Sequence, residues 1–155
     1  MQARFVLLSP SLPEHSEVVV AHGFEPVVTT REAAESLARE GARAGRRVHV
    51  HVKVDTGMGR VGVAPGEAAD FVSHCRALQG LHVRGLMSHF PRADEADKRF
   101  SLEQIAVFER VLEATRGRDG MLAHMANSAA LLDLDRKSTR LNSSHMSESR
   151  MPSSA

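Results

Sequence analysis

Residues 47–54, RVHVHVKV, alternate strictly between valine and a basic or imidazole side chain. Successive side chains of a strand point to opposite faces, so Val48, Val50 and Val52 share one side and His49, His51 and Lys53 the other. A strand of a doubly wound parallel sheet is apolar on both faces. A strand with one apolar and one polar face suits a (β/α)8 barrel, whose interior can carry polar groups near its active end.

The rest of the chain repeats a β-α order. Segments 4–8 (RFVLL), 25–30 (EPVVTT), 47–54 and 81–90 (LHVRGLMSHF) read as strands, with a short fifth near 121–125. Helical periodicity fills 13 to about 21, 30–43, 66–79 and 101–115, and NSAALL at 127–132 opens another helix. Thr30 is placed to cap the second helix, with Glu32 and Glu35 near its positive end. Strands alternating with helices imply a parallel sheet with helical crossovers.

The length of 155 residues sets a limit on that barrel. Closing eight strands takes roughly 250 residues, so the expectation is an α/β chain holding about five of the eight strands of a TIM-type barrel, over residues 1–134. Such an open barrel exposes two sheet edges and an apolar face, which predicts marginal stability. Residues 135–155 change character: serine-rich, without periodicity, and with DRKSTRLNSSH (135–145) resembling a translated sequencing adapter. They are expected to be a disordered tail of non-native origin.

Composition excludes several classes. A net charge of +1 supplies no basic face for nucleic acid or anionic membrane. No apolar run approaches the ~20 residues that span a bilayer, and no secretory pattern opens the chain. Cys75 is the only cysteine. It falls with Phe71, Val72 and Leu78 on an apolar helix face, so it reads as a core thiol, and the lack of a disulfide framework fits the cytoplasm.

Gly57-Met58-Gly59-Arg60-Val61-Gly62 is formally the G-x-G-x-x-G of a dinucleotide turn. That turn must open a helix directly so that pyrophosphate meets the helix N-terminus. Pro65 stands where the helix interior would have to be, which argues against it. A second possibility is a metal hydrolase barrel in which His49, His51, His89 and His124 converge on zinc, with Lys53 bridging two metals as a carbamate. Against it, His49 and His51 also read as polar filling low in the barrel, and the glycine string has no role in it.

A third reading accounts for the glycines. KVDTGMGRVGV (53–63), GLMSHFPRADEAD (85–97), Gln104 and Phe108, and HMANSAALL (124–132) together resemble the alanine racemases, pyridoxal-phosphate enzymes built on such a barrel. The blocks fall at three successive strand ends, and the likeness spans residues 4–134.

The resemblance implies that Arg60 contacts the phenolic oxygen of pyridoxal phosphate and that His89 lies against its ring. It implies that Asn127 and Ser128 complete the cofactor pocket, Ser128 toward the phosphate. Lys53 matches a lysine that is often carbamylated and positions the arginine. The family's cofactor-bonding lysine belongs to an earlier strand, and its second base is a tyrosine from another domain of the partner subunit. This chain contains no tyrosine, and Lys98 and Lys137 are poorly placed to bond the cofactor. The resemblance therefore implies a soluble, cytoplasmic, homodimeric enzyme interconverting L- and D-alanine for the cell wall. Of that enzyme this chain is expected to carry cofactor-contacting residues but no catalytic residues, and to be inactive by itself. A pyridoxal-phosphate homeostasis protein and a barrel acting on another D-amino acid are the alternatives.

Overall fold

The computed structural model describes residues 4–115, 121–125 and 127–133, with backbone alone for 131–133. Residues 135–155 lie outside the described residues.

Five strands form one sheet: β1 (Val6–Pro10), β2 (Glu25–Val28), β3 (Val48–Lys53), β4 (Leu81–Met87) and β5 (Leu122–His124). Their spatial order is their sequence order, and every pairing is parallel. The helices are α1 (Ser16–His22), α2 (Arg31–Arg43), α3 (Ala68–Ala77), α4 (Arg99–Thr115) and α5 (Ser128–Asp133). α1 packs on α2, α2 on α3 and α3 on α4. Parallel crossovers share one handedness, so strands laid down in sequence order place their helices on one side. A doubly wound sheet reverses its strand order and covers both sides. The chain is therefore an open portion of a (β/α) barrel, as the RVHVHVKV alternation implies.

The core lies between sheet and helices. Val48, Val50, Val52 and Val54 of the third unit join Val28, Leu37, Val72, Cys75, Val83, Leu86 and Phe108 in one buried cluster. Burial of the Cys75 thiol pushes its pKa up to about 12, so it is an inert core residue. The opposite face of β3 is polar, half-buried at His49 and fully buried beyond it: His51 is 2% and Lys53 6% exposed.

Element ends follow local chemistry. Thr30 caps α2, its hydroxyl accepting from the Ala33 N–H at 3.3 Å. Glu32 lies in that first turn, whereas Glu35 reaches His74 on α3 at 3.2 Å. β1 runs two residues later than the 4–8 expected, ending at Pro10. Proline is tolerated there because β1 is a sheet edge among the described strands and its register with β2 is already irregular between Leu7 and Pro10. That edge leaves Phe5 and Leu8 exposed.

Candidate functional site

The C-terminal end of β3 runs into a loop closed at its neck. Val63 N–H donates to the Lys53 carbonyl at 2.8 Å, and Asp55 N–H donates to the Val63 carbonyl at 3.0 Å. Gly62 permits this closure, because at its φ of 151° a Cβ would lie 2.4 Å from the Asp55 nitrogen. Inside the loop the Asp55 carboxylate accepts N–H bonds from Gly57 at 3.0 Å, Gly59 at 3.0 Å and Arg60 at 2.9 Å. Partial burial pushes this carboxyl up, but the N–H groups of Gly57, Gly59, Arg60 and Met58 outweigh it and hold the group below the usual carboxylate range.

This arrangement explains the glycine string. A fan of backbone N–H groups is an anion cradle, and here the anion is the protein's own Asp55. The donors a pyrophosphate would need are taken, and α3 begins only after a 3-10 turn over Pro65–Glu67. The same cradle holds the Arg60 backbone in place.

Arg60 stands with two other sequence-predicted residues. Burial lowers the Lys53 pKa and the nearby Arg60 cation lowers it further, against a smaller opposing pull from Asp55. Burial likewise lowers His89, with Lys53 and Arg60 adding to the effect. Buried Lys53, exposed Arg60 and half-buried His89 thus act on one another at the C-terminal end of the sheet. His89 follows β4 by two residues, where the Ser88 N–H donates to the His124 carbonyl at 3.1 Å.

Asn127 and Ser128 follow the next strand. The Asn127 amide donates to the Phe90 carbonyl at 3.0 Å, tying the turn after β5 to the turn after β4. Its Oδ1 accepts from the Ala130 N–H at 2.9 Å, so Asn127 caps α5. The Ser128 side chain is left exposed beside it.

Polar residues to which the sequence reading gave no role support these groups. The Thr56 and Ser88 hydroxyls are 2.7 Å apart. Gln104, 1% exposed on α4, donates through its amide to the Thr56 hydroxyl at 3.2 Å and to the His89 carbonyl at 3.3 Å. Gln104, Asp55, Thr56 and Ser88 were visible in the sequence only as members of the quoted motifs.

The barrel interior below holds a second polar group. His51 Nε2 lies 3.1 Å from Glu25 Oε2, and His51 Nδ1 lies 2.8 Å from His124 Nε2. His49 Nδ1 faces an Arg84 guanidinium nitrogen at 3.2 Å, and Arg84 in turn lies 3.7 Å from Glu25. Gly85 makes room for this, since a Cβ there would fall 2.4 Å from His51 Nδ1. Burial lowers the His51 pKa, partly offset by Glu25, and burial with His51 alongside takes His124 down to about 4. Three imidazoles of the zinc reading are thus spent on hydrogen bonds, His51 with His124 and Glu25 and His49 with Arg84, while His89 stands apart from them at the strand ends. Among the described residues no group of three or more His, Cys, Asp or Glu side chains is placed to hold a metal ion. No described helix is long and apolar enough to cross a membrane.

The family described as "Alanine racemase, N-terminal domain" matches residues 1–146. An alanine racemase of Halothermothrix orenii is 40% identical over 129 residues, covering 82% of this chain and 34% of that protein. The chain thus spans about a third of the length of the curated relatives it matches. The alanine racemase of D-cycloserine-producing Streptomyces lavendulae superposes with a TM-score of 0.74 at 28% identity, over 86% of this chain and 36% of the other. The Bartonella henselae enzyme, solved with covalently bound pyridoxal phosphate, shares the fold with a TM-score of 0.70 at 20% identity, over 84% and 37% of the two chains. With that family matching most of its length, the chain belongs to the alanine racemase family.

Proposed function

We propose that these residues form the cofactor-facing part of a pyridoxal-phosphate enzyme that interconverts L- and D-alanine. The observation that carries this reading is that buried Lys53, exposed Arg60 and half-buried His89 come together at the strand ends, where an anion would relieve the repulsion between the two cations. The donor set fits the cofactor: an exposed guanidinium on a held backbone for a phenolic oxygen, an imidazole whose proton affinity is lowered by burial, Lys53 and Arg60, and an exposed Ser128 opening α5 for a phosphate. When bound, pyridoxal phosphate supplies an electron sink for the substrate α-carbon.

This chain's own residues prepare the site. Asp55 fixes the loop, so Arg60 is presented with little further ordering. Lys53, whose proton affinity is lowered by burial and by Arg60, is the candidate for carbamylation by carbon dioxide. The resulting carbamate turns a cation beside Arg60 into an anion, replacing repulsion with attraction. Gln104 holds the His89 backbone through its carbonyl, and Asn127 holds the turn that carries Ser128. The proton exchange itself needs two bases. With no tyrosine among its 155 residues, the chain alone is proposed to bind and orient but not to racemise. Cytoplasmic location and a homodimeric assembly belong to the same proposal.

Titrating the purified chain with pyridoxal phosphate tests the reading. Saturable binding, weakened at least about tenfold by Arg60→Ala and lost for pyridoxal without its phosphate, is expected. No saturable binding, or binding indifferent to Arg60, overturns it.

A further inference from the structure

Glu25, His51 and His124 form a continuous hydrogen-bonded chain across three strands, with neighbouring members 3.1 Å and 2.8 Å apart. Glu25 is 5% and His51 2% exposed, so water is no ready partner for either. Nothing in the proposed cofactor site uses this chain. Its upper end nevertheless lies at that site: Lys53 pairs in register with Met87, and Met87 with His124. Register partners in a parallel sheet point to the same face, so His124 and Lys53 stand in one interior row, two strands or roughly 10 Å apart.

The direction of the protons follows from chemistry. A carboxylate only accepts, so His51 donates to Glu25 from Nε2–H. A neutral His51 then has a lone pair at Nδ1, and His124 must donate to it from its own Nε2–H. Both rings are thus fixed as Nε2–H tautomers, with His124 Nδ1 unprotonated. The charged and titratable groups facing the pair are Glu25 on β2, His49 and Lys53 on β3, His82 and Arg84 on β4, and Arg4 before β1. Glu25 is the sole anion among them, and it sits at the far end from the site.

We propose that Glu25, His51 and His124 are a proton relay that lets the floor of the site take up a proton without leaving a cation there. A hydronium or other solvent-borne acid gives a proton to His124 Nδ1. The His124 Nε2–H bond breaks as its proton passes to His51 Nδ1, and the lone pair stays on His124 Nε2. His51 becomes an imidazolium paired with the Glu25 carboxylate, and His124 ends neutral as the Nδ1–H tautomer. Charge is conserved: one proton enters at His124 and one positive charge appears on His51, beside the only facing anion. Gly85 is what allows the His51 ring to lie in this line. The functional meaning of the relay rests on the cofactor reading above, whereas its existence does not.

Histidine nitrogen NMR on the full chain, with nitrogen-labelled histidine and no cofactor, separates the two. At neutral pH both His51 and His124 are expected as neutral Nε2–H rings. On acidification a single step should move the His124 proton to Nδ1 while His51 gains both protons. His51 protonated only at Nδ1 at neutral pH, or His124 becoming the cation while His51 stays neutral, overturns the relay. Glu25→Gln should lower the proton affinity of the pair at least about tenfold, and an unchanged affinity also overturns it. If that variant does not fold, the spectra of the unaltered chain decide alone. Failure to bind pyridoxal phosphate leaves these spectra unchanged, so the two proposals fail independently.

Discussion

The Asp55 carboxylate and the Arg60 backbone N–H meet at 2.9 Å across the glycine turn, so an acid five residues upstream sets where the arginine begins. Asp55→Asn keeps the shape but replaces a charge-assisted acceptor with a weaker neutral one. A loss of about 1–2 kcal/mol in urea denaturation is expected, with a larger fractional loss of pyridoxal-phosphate affinity than of stability. The folded carboxyl is depressed. Its contribution is therefore present above the unfolded value near pH ~3.9 and is lost as pH falls through the folded value. Asp55→Asn should flatten the stability curve in that acid range and leave its slope above about pH 5 untouched.

Gly85→Ala would place a methyl group 2.4 Å from His51 Nδ1. The ring must shift, breaking its bond to His124, and the expected cost is about 2–4 kcal/mol in thermal or urea unfolding. Gly66→Ala meets nothing within 4 Å and serves as the matched control. Equal stability for the two variants would mean that the ring has room the structure does not show.

The proton enters at His124, whose proton affinity is held down to about 4 in the folded chain, and the hydrogen-bonded His51–His124 pair takes it up as one unit. The unfolded imidazole, near 6.5, binds more protons between these values, so stability is greatest above about pH 6.5 and falls as pH drops toward 4. The drop attributable to this group is on the order of 2–3 kcal/mol. His124→Gln should be less stable at neutral pH yet show a shallower decline over that window. A parallel decline in both proteins would assign the acid sensitivity elsewhere.

Borohydride reduction of the chain in pyridoxal phosphate, followed by peptide mass spectrometry, should leave Lys53 unmodified. The Lys53 amine is buried beside Arg60 and assigned to positioning it. A specific Lys53 adduct would show instead that it bonds the cofactor.

Much of the fold was legible because its signals are local. The Val/His alternation of β3, the Thr30 cap and the β-α order each depend on residues within one turn or strand of each other, and all are present as read. The partners that set the site are not local. Glu25 meets His51 across 26 residues, Gln104 meets Thr56 across 48, and His51 meets His124 across 73. Glu25 opens β2 and resembles any exposed strand-start acid until the sheet places His51 beside it. The zinc reading arose for the same reason: histidines on neighbouring strands suggest convergence, but not that His51 and His124 bond each other and Glu25 while His49 meets Arg84. Asp55 was hidden differently, since the glycine string points to a bound anion without naming whose.

The sequence-ordered sheet has a consequence for synthesis. Each strand needs only the one before it, and each helix from α2 to α4 rests on its predecessor. Among the described strands, a nascent chain can therefore add one unit at a time as it leaves the ribosome. Glu25 and His51 can join as soon as β3 emerges, whereas the ring of His124 arrives last and locks three units together at once.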